Sequence, residues 1–354
     1  MATRSTAPDA SLTGFLIGQH LLRPGELALW HPLAGGVSSD IWQVELPGRS
    51  ICVKRALPQL KVAAEWLAPV DRNAYEWAWM KFAARHCPAN VPAPLAHDEA
   101  AGLFAMSFLE SQAHPVWKQQ LMAGEVVPAT AGAVGDVLGR LHAASAREPG
   151  LASAFDTIEN FYALRLEPYL VATAARHPRL SSRLLKLAVC TAGTRHALVH
   201  GDVSPKNVLV GPSGPVLLDA ECAWYGDPAF DLAFCLNHLL LKCLVRPEAT
   251  EALFDSFTLL AETYLSHVDW EPPQAVEQRV AELLPALMLA RVDGKSPVEY
   301  LMDTAAKDLV RAVASELITH PVTLLHMVTQ AWRVALGCPP KMGAPDSAAQ
   351  GITT

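Results

Sequence analysis

Apolar and polar positions alternate through the first third of the chain and recur at helical spacing through most of the remainder. Residues 1 to about 10 carry no periodic pattern, and the first organised segment runs from Leu27 to Arg55. Leu33 to Asp40, Ile41-Trp42-Gln43-Val44, a turn at Pro47-Gly48 and Ser50-Ile51-Cys52-Val53-Lys54 predict a three-stranded meander. About Val62 to Cys87 reads as a helix. Val91-Pro92-Ala93-Pro94 leads into an apolar strand from Gly102 to Leu109 that runs out into polar linker. From Val116 onward the pattern is mainly helical. A helix over roughly Thr130 to Ala146 puts Leu138, Leu141 and His142 on one face, and residues 156 to 190 give further helix.

Three short apolar runs interrupt the helices: Ala197-Leu198-Val199, Val208-Leu209-Val210 and Val216-Leu217-Leu218. The cluster Gly211-Pro212-Ser213-Gly214-Pro215 folds the second run back on the third. Asp227 is placed to cap a helix that starts at Pro228. Ser296-Pro297-Val298-Glu299 has the form of a capping box and predicts a helix there, which leaves Arg291, Asp293 and Lys295 in the preceding loop.

Composition narrows the class. A chain of 354 residues, half of it apolar, has the length for two lobes and a real core. A net charge of -7 with no Lys/Arg run argues against a nucleic-acid partner. The seven scattered cysteines offer no Cys-x-x-Cys spacing and read as reduced thiols. Phe15-Leu16-Ile17 is too short for an export signal, and Leu232 to Val245, broken by Asn237, His238 and Lys242, is too short and polar to span a membrane. A cytoplasmic protein with no membrane partner is the expectation.

Candidate chemistry gathers where the short runs end. Asp202, Asn207 and Asp219 come together at one end of a small sheet, with Glu221 on the side of Asp219 if the strand stays extended. Hard oxygen donors in that number suit magnesium better than zinc, and a zinc site on His200 and Asp202 lacks a third nearby ligand.

His200-Gly201-Asp202, four residues and Asn207, then Asp219-Ala220-Glu221, resembles the catalytic loop of the aminoglycoside phosphotransferase and choline kinase superfamily. Gly201 between His and Asp, and Asp219-Ala220-Glu221 where protein kinases have Asp-Phe-Gly, separate it from protein kinases. The resemblance implies an α+β fold: a bilobal protein-kinase-like molecule with a small antiparallel-sheet N-lobe and a mainly helical C-lobe. The corresponding division is a lead-in at residues 1–24, an N-lobe at 25–107, a C-lobe at 108–338 and a tail at 339–354.

It also implies roles. Asp202 takes the proton of a small-molecule hydroxyl acceptor, while Asn207 and Asp219 hold Mg²⁺, with Glu221 a candidate for a second ion. Lys54 grips the phosphates of ATP, aided by Glu76, with Glu65 in reserve, and by the turn at Gly35, Gly36 and Ser38. Backbone around Ser107 and Leu109 receives the adenine. His200 fixes the loop, and Asp231, in Gly226-Asp227-Pro228-Ala229-Phe230-Asp231, braces it. Arg165, Arg291 and Lys295 are candidates for acceptor contact. The rival reading is a catalytically silent kinase-fold module that binds nucleotide, or, further off, a protein kinase.

Overall fold

A computed structural model describes residues 8–33, 39–57 and 72–338. Gly35, Gly36, Ser38 and Glu65 lie outside the described residues, as does the first part of the helix expected from Val62.

Helix α1 (Ala10–Gly18) precedes the point where the sequence pattern first looked organised. The Asp9 carboxylate caps it by accepting from the Ser11 and Leu12 amides. Leu12, Phe15 and Leu16 fall on one face and are buried against Trp42 and Val44. Those three side chains are enough for one buried helical stripe.

Five antiparallel strands follow: β1 (Leu29–Pro32), β2 (Ser39–Leu46), β3 (Arg49–Ala56), β4 (Pro94–Asp98) and β5 (Leu103–Ser107), in the order β1-β2-β3-β5-β4. Helix α2 (Arg72–His86) lies between β3 and β4 in the chain. β3 is central, pairing Lys54 with Ile41 on one side and with Phe104 on the other. Successive side chains alternate faces. Ile51 and Val53 therefore enter the small core under α1, and Lys54 projects from the opposite face toward α2.

The second lobe begins with α3 (Trp117–Ala123) and α4 (Pro128–Arg147). Short helices α5 (Leu151–Ala154) and α6 (Ile158–Phe161) lead through a π-helical stretch (Tyr162–Val171) into α7 (Ala172–Arg176) and α8 (Ser181–Gly193). The π stretch contains Pro168, which has no amide hydrogen to donate to the ladder. After four short strands come α9 (Ala229–Lys242), α10 (Thr250–Leu265), α11 (Pro273–Asp293), α12 (Thr304–Thr319) and α13 (Leu325–Ala335). Every residue of α9 is buried, so the other helices are arranged around it. α10 lies so close to α4 that a Cβ at Gly135 would come within 2.4 Å of the Leu260 carbonyl oxygen. None of the helices among the described residues is long and apolar enough to cross a membrane.

Two expectations fail. The four short strands β6 (Ala197–Val199), β7 (Val208–Gly211), β8 (Gly214–Leu217) and β9 (Trp224–Gly226) form two separate antiparallel pairs, β6 with β9 and β7 with β8, and not one sheet. The segment from Ser296 to Glu299 starts no helix. Its capping groups are diverted to tertiary partners: Arg291 takes the Ser296 carbonyl and hydroxyl, and Glu299 pairs with Lys118. Val298 and Leu301 are drawn into the core, and the next helix starts at Thr304 under an Asp303 cap. Arg291 and Asp293 consequently belong to the last turn of α11 and not to a loop.

Candidate active site

The two lobes meet at Lys54. Its ammonium lies 2.7 Å from both carboxylate oxygens of Glu76 on α2 and 2.5 Å from Asp219 Oδ1 in the second lobe. Lys54 and Glu76 are both nearly inaccessible. Burial would lower the lysine, but the Asp219 and Glu76 carboxylates more than reverse this and hold it above its ordinary pKa. Despite burial, Lys54 and Lys206 keep the Asp219 carboxyl well below the usual carboxylate range. Glu76, buried and beside other acids, is pushed up to about 7 against the pull of Lys54.

Strand β6 delivers the loop His200 to Asn207. Gly201 has φ of 80°, a left-handed conformation, and a Cβ there would stand 2.7 Å from the Cys222 carbonyl oxygen. Only glycine fits. The Asp202 amide donates to His200 Nδ1 at 3.1 Å, which leaves His200 Nε2 to donate to the Leu218 carbonyl, also at 3.1 Å. Burial lowers the His200 pKa in spite of nearby acids, consistent with a neutral ring holding that tautomer. Trp79 of α2 packs edge-on against the same ring.

Asp202 points its carboxylate at two cations, Arg165 at 2.9 Å and Lys206 at 3.1 Å. Burial alone would raise its pKa, and these two charges bring it below the ordinary value. Asn207 donates through Nδ2 to the Asp202 carbonyl at 3.1 Å, closing the loop on itself. Its own carbonyl accepts from the Leu218 amide at 2.9 Å, which ties the loop to the chain leading into Asp219.

Asp231, fully buried one turn into α9, accepts from the His200 amide at 2.7 Å and the Gly201 amide at 2.8 Å, one on each oxygen. His142, itself bonded to Tyr264, approaches the same carboxylate at 3.3 Å. Asp231→Asn keeps the shape but leaves a single acceptor for two amides. It should cost about 1–3 kcal/mol of stability, read as a lowered denaturation midpoint, together with a reduced turnover once the loop loosens. An unchanged midpoint would show that the two amide contacts do not hold the loop.

The extended strand assumed beyond Leu218 does not continue. Asp219 has φ of 70°, which turns the chain, and Glu221 ends up 3.1 Å from Arg72 Nε. Asn160 holds the Glu221 carbonyl. Glu221 is thus engaged by a buried arginine.

Of the acceptor candidates, Arg165 is buried in the π-helical stretch and directed at Asp202 and the Gly201 carbonyl. Lys295 is exposed and paired with Glu167 at 2.6 Å. Arg291 is buried beside Tyr169. The Ser107 amide is bonded to the Ala93 carbonyl at 2.9 Å, and Leu109 lies just beyond β5 in the connection between the lobes. Sequence reading overlooked Arg72 and Lys206. Lys206 stands four residues after Asp202, a spacing that could have drawn attention to it, whereas nothing near Arg72 announces a partner 149 residues away.

The profile of the phosphotransferase enzyme family matches residues 30–242. A methylthioribose kinase of Bacillus cereus is 25% identical over 287 residues, covering 68% of this chain and 72% of that protein. Another from Erwinia tasmaniensis is 27% identical over 226 residues, covering 56% of this chain and about half, 55%, of the relative. Among solved structures, an ethanolamine kinase from Plasmodium vivax superposes with a TM-score of 0.57 at 10% identity, covering 90% of this chain and 93% of the other. An amicoumacin kinase, solved with AMP-PNP and Ca²⁺, gives a TM-score of 0.53 at 13% identity, with 87% and 92% covered. These two are likenesses of fold.

Proposed function

Because the chain belongs to the phosphotransferase enzyme family, we propose that it is a small-molecule kinase that moves the terminal phosphoryl group of ATP to a hydroxyl of its acceptor, with Mg²⁺ as cofactor. The observation that carries this reading is the meeting of Lys54, Glu76 and Asp219 across the lobes, beside a loop in which Asp202 and Asn207 are bonded to each other.

Donor chemistry supports a magnesium site. Asp219 has one oxygen on Lys54 and a second to offer, and Asn207, whose Nδ2 is used on Asp202, offers its amide oxygen. Magnesium in phosphoryl-transfer sites is held by one or two such oxygens with the remainder supplied by phosphate and water. When bound, it neutralises charge on the terminal phosphates.

The rest falls to the protein. Lys54 supplies a fixed positive charge to the phosphates. Asp202, kept ionised by Arg165 and Lys206, accepts the proton as the acceptor oxygen bonds to the γ-phosphorus and the bridging P–O bond breaks to release ADP. Arg165 acts through Asp202, fixing its direction. Gly201 shapes the turn that places the carboxylate, and Asp231 holds that turn from behind.

The test is ADP release by the full chain with Mg-ATP over a panel of hydroxyl compounds that includes methylthioribose, in view of the relatives. Acceptor-dependent ADP release is expected. AMP-PNP binding with no acceptor turned over would favour the silent nucleotide-binding module.

A further inference from the structure

Lys206, which touches Asp202, also lines a second recess, together with Lys118 of α3, His238 and Lys242 of α9, Arg291 of α11 and Tyr300. Four cationic side chains from four parts of the chain meet there. Two carboxylates answer them: Asp202, shared by Lys206 and Arg165, and Glu299, on Lys118.

Lys242 is fully buried, and among the described residues no carboxylate lies within ion-pair distance of it. Its ammonium makes one long hydrogen bond, 3.4 Å to the His238 carbonyl, and stands 4.8 Å from the centre of the Tyr300 ring. Arg291, 8% exposed, donates to the Tyr169 hydroxyl and to Ser296, all neutral acceptors, and its Nε is buried with no partner. Burial and the surrounding cations push the Lys242 ammonium down to about 7 and the His238 imidazole well below its usual value. His238 is held by the Tyr300 hydroxyl at 3.2 Å and supplies no compensating negative charge.

A purely structural role accounts poorly for this. The carboxyl end of α9 and the face of Tyr300 both favour a cation, but neither neutralises one. Buried charges in proteins are paired or bound to something, and an apolar side chain of the same length would fill the position without the desolvation penalty. Excess positive charge at a recess that shares Lys206 with Asp202 has the character of a subsite for an anion.

We infer, building on the kinase reading, that the acceptor is an anionic hydroxy compound whose carboxylate or phosphate sits between Lys242 and Arg291 while its hydroxyl faces Asp202. The same side chains disfavour a cationic acceptor, and an anion, unlike an uncharged sugar, would hold Lys242 in its charged form beside Arg291.

The test uses the full chain as wild type, Lys242→Met and Arg291→Met. Thermal shifts are measured at constant ionic strength with inorganic phosphate and with malonate, each against chloride, and separately with AMP-PNP and Mg²⁺. Acceptor kinetics compare hydroxy acids with their methyl amides and sugar phosphates with their free sugars. We expect wild type to be stabilised by phosphate or malonate beyond chloride, and the charged member of at least one pair to have the higher kcat/KM. Both substitutions should remove the anion shift and lower that kcat/KM by about 10²-fold, with the AMP-PNP shift retained. Which pair responds identifies carboxylate or phosphate. The inference is overturned if wild type does not distinguish these anions from chloride, if the shift survives in both variants, or if the uncharged member is preferred in every pair. Absence of the AMP-PNP shift in wild type would instead sink the kinase reading on which it rests.

Discussion

Asp202→Asn is expected to lower kcat by about 10²- to 10⁴-fold while AMP-PNP with Mg²⁺ still stabilises the protein. The substitution removes the proton acceptor and changes little else nearby. The amide oxygen it introduces can still accept from Arg165, whose guanidinium keeps the Gly201 and Leu164 carbonyls as further acceptors. The loop keeps its bond from Asn207, which goes to the backbone of residue 202 and not to its side chain. Losing the charge opposite Arg165 and Lys206 should lower the denaturation midpoint without unfolding the chain. Steady-state kinetics beside an AMP-PNP thermal shift separate the two effects. A kcat within a few-fold of wild type would remove Asp202 from the role of base.

Asp219→Asn should abolish the Mg²⁺-dependent part of nucleotide binding and with it nearly all turnover. Asparagine is the informative replacement because residue 219 is in the left-handed region, with φ of 70°. Alanine there carries roughly 1–2 kcal/mol of backbone strain, so a loss of binding would be confounded with a distorted loop. Asparagine tolerates that conformation and removes only the charge. Titration of AMP-PNP with and without Mg²⁺ gives the readout. If magnesium strengthens binding to Asp219→Asn as much as to wild type, the ion is held elsewhere.

The candidate site is legible in sequence to the degree that it is local. His200-Gly201-Asp202 and Asn207 lie within one loop, and the loop's own hydrogen bonds follow from that proximity. The face of β3 on which Lys54 stands follows from a period of two once Val53 is in the core. Long-range pairings were another matter. Arg72 with Glu221, Arg165 with Asp202 and the Lys118 to Arg291 cluster depend on how helices pack, and a solvated surface cation has the same sequence appearance as a buried one. The failed capping box at Ser296 shows the converse: a valid local signal was outcompeted by Arg291, Lys118 and the burial of Val298. Helix α1 is hard to see in sequence because it is short and its buried stripe is only Leu12, Phe15 and Leu16.

The contact of Lys54 with both Glu76 and Asp219 has a bearing on which form of nucleotide the cleft admits. On the proposed reading, the phosphates arrive at an ammonium that is already occupied, so entry is a partner exchange: Lys54 trades a carboxylate for a phosphate and Asp219 is set loose. A nucleotide that comes with its divalent ion re-pairs both groups at once. A metal-free nucleotide would leave Asp219 and Glu76 beside the triphosphate with Lys54 shared among all three. On that same reading, the clasp that joins the lobes would favour the nucleotide that carries its ion over the bare one.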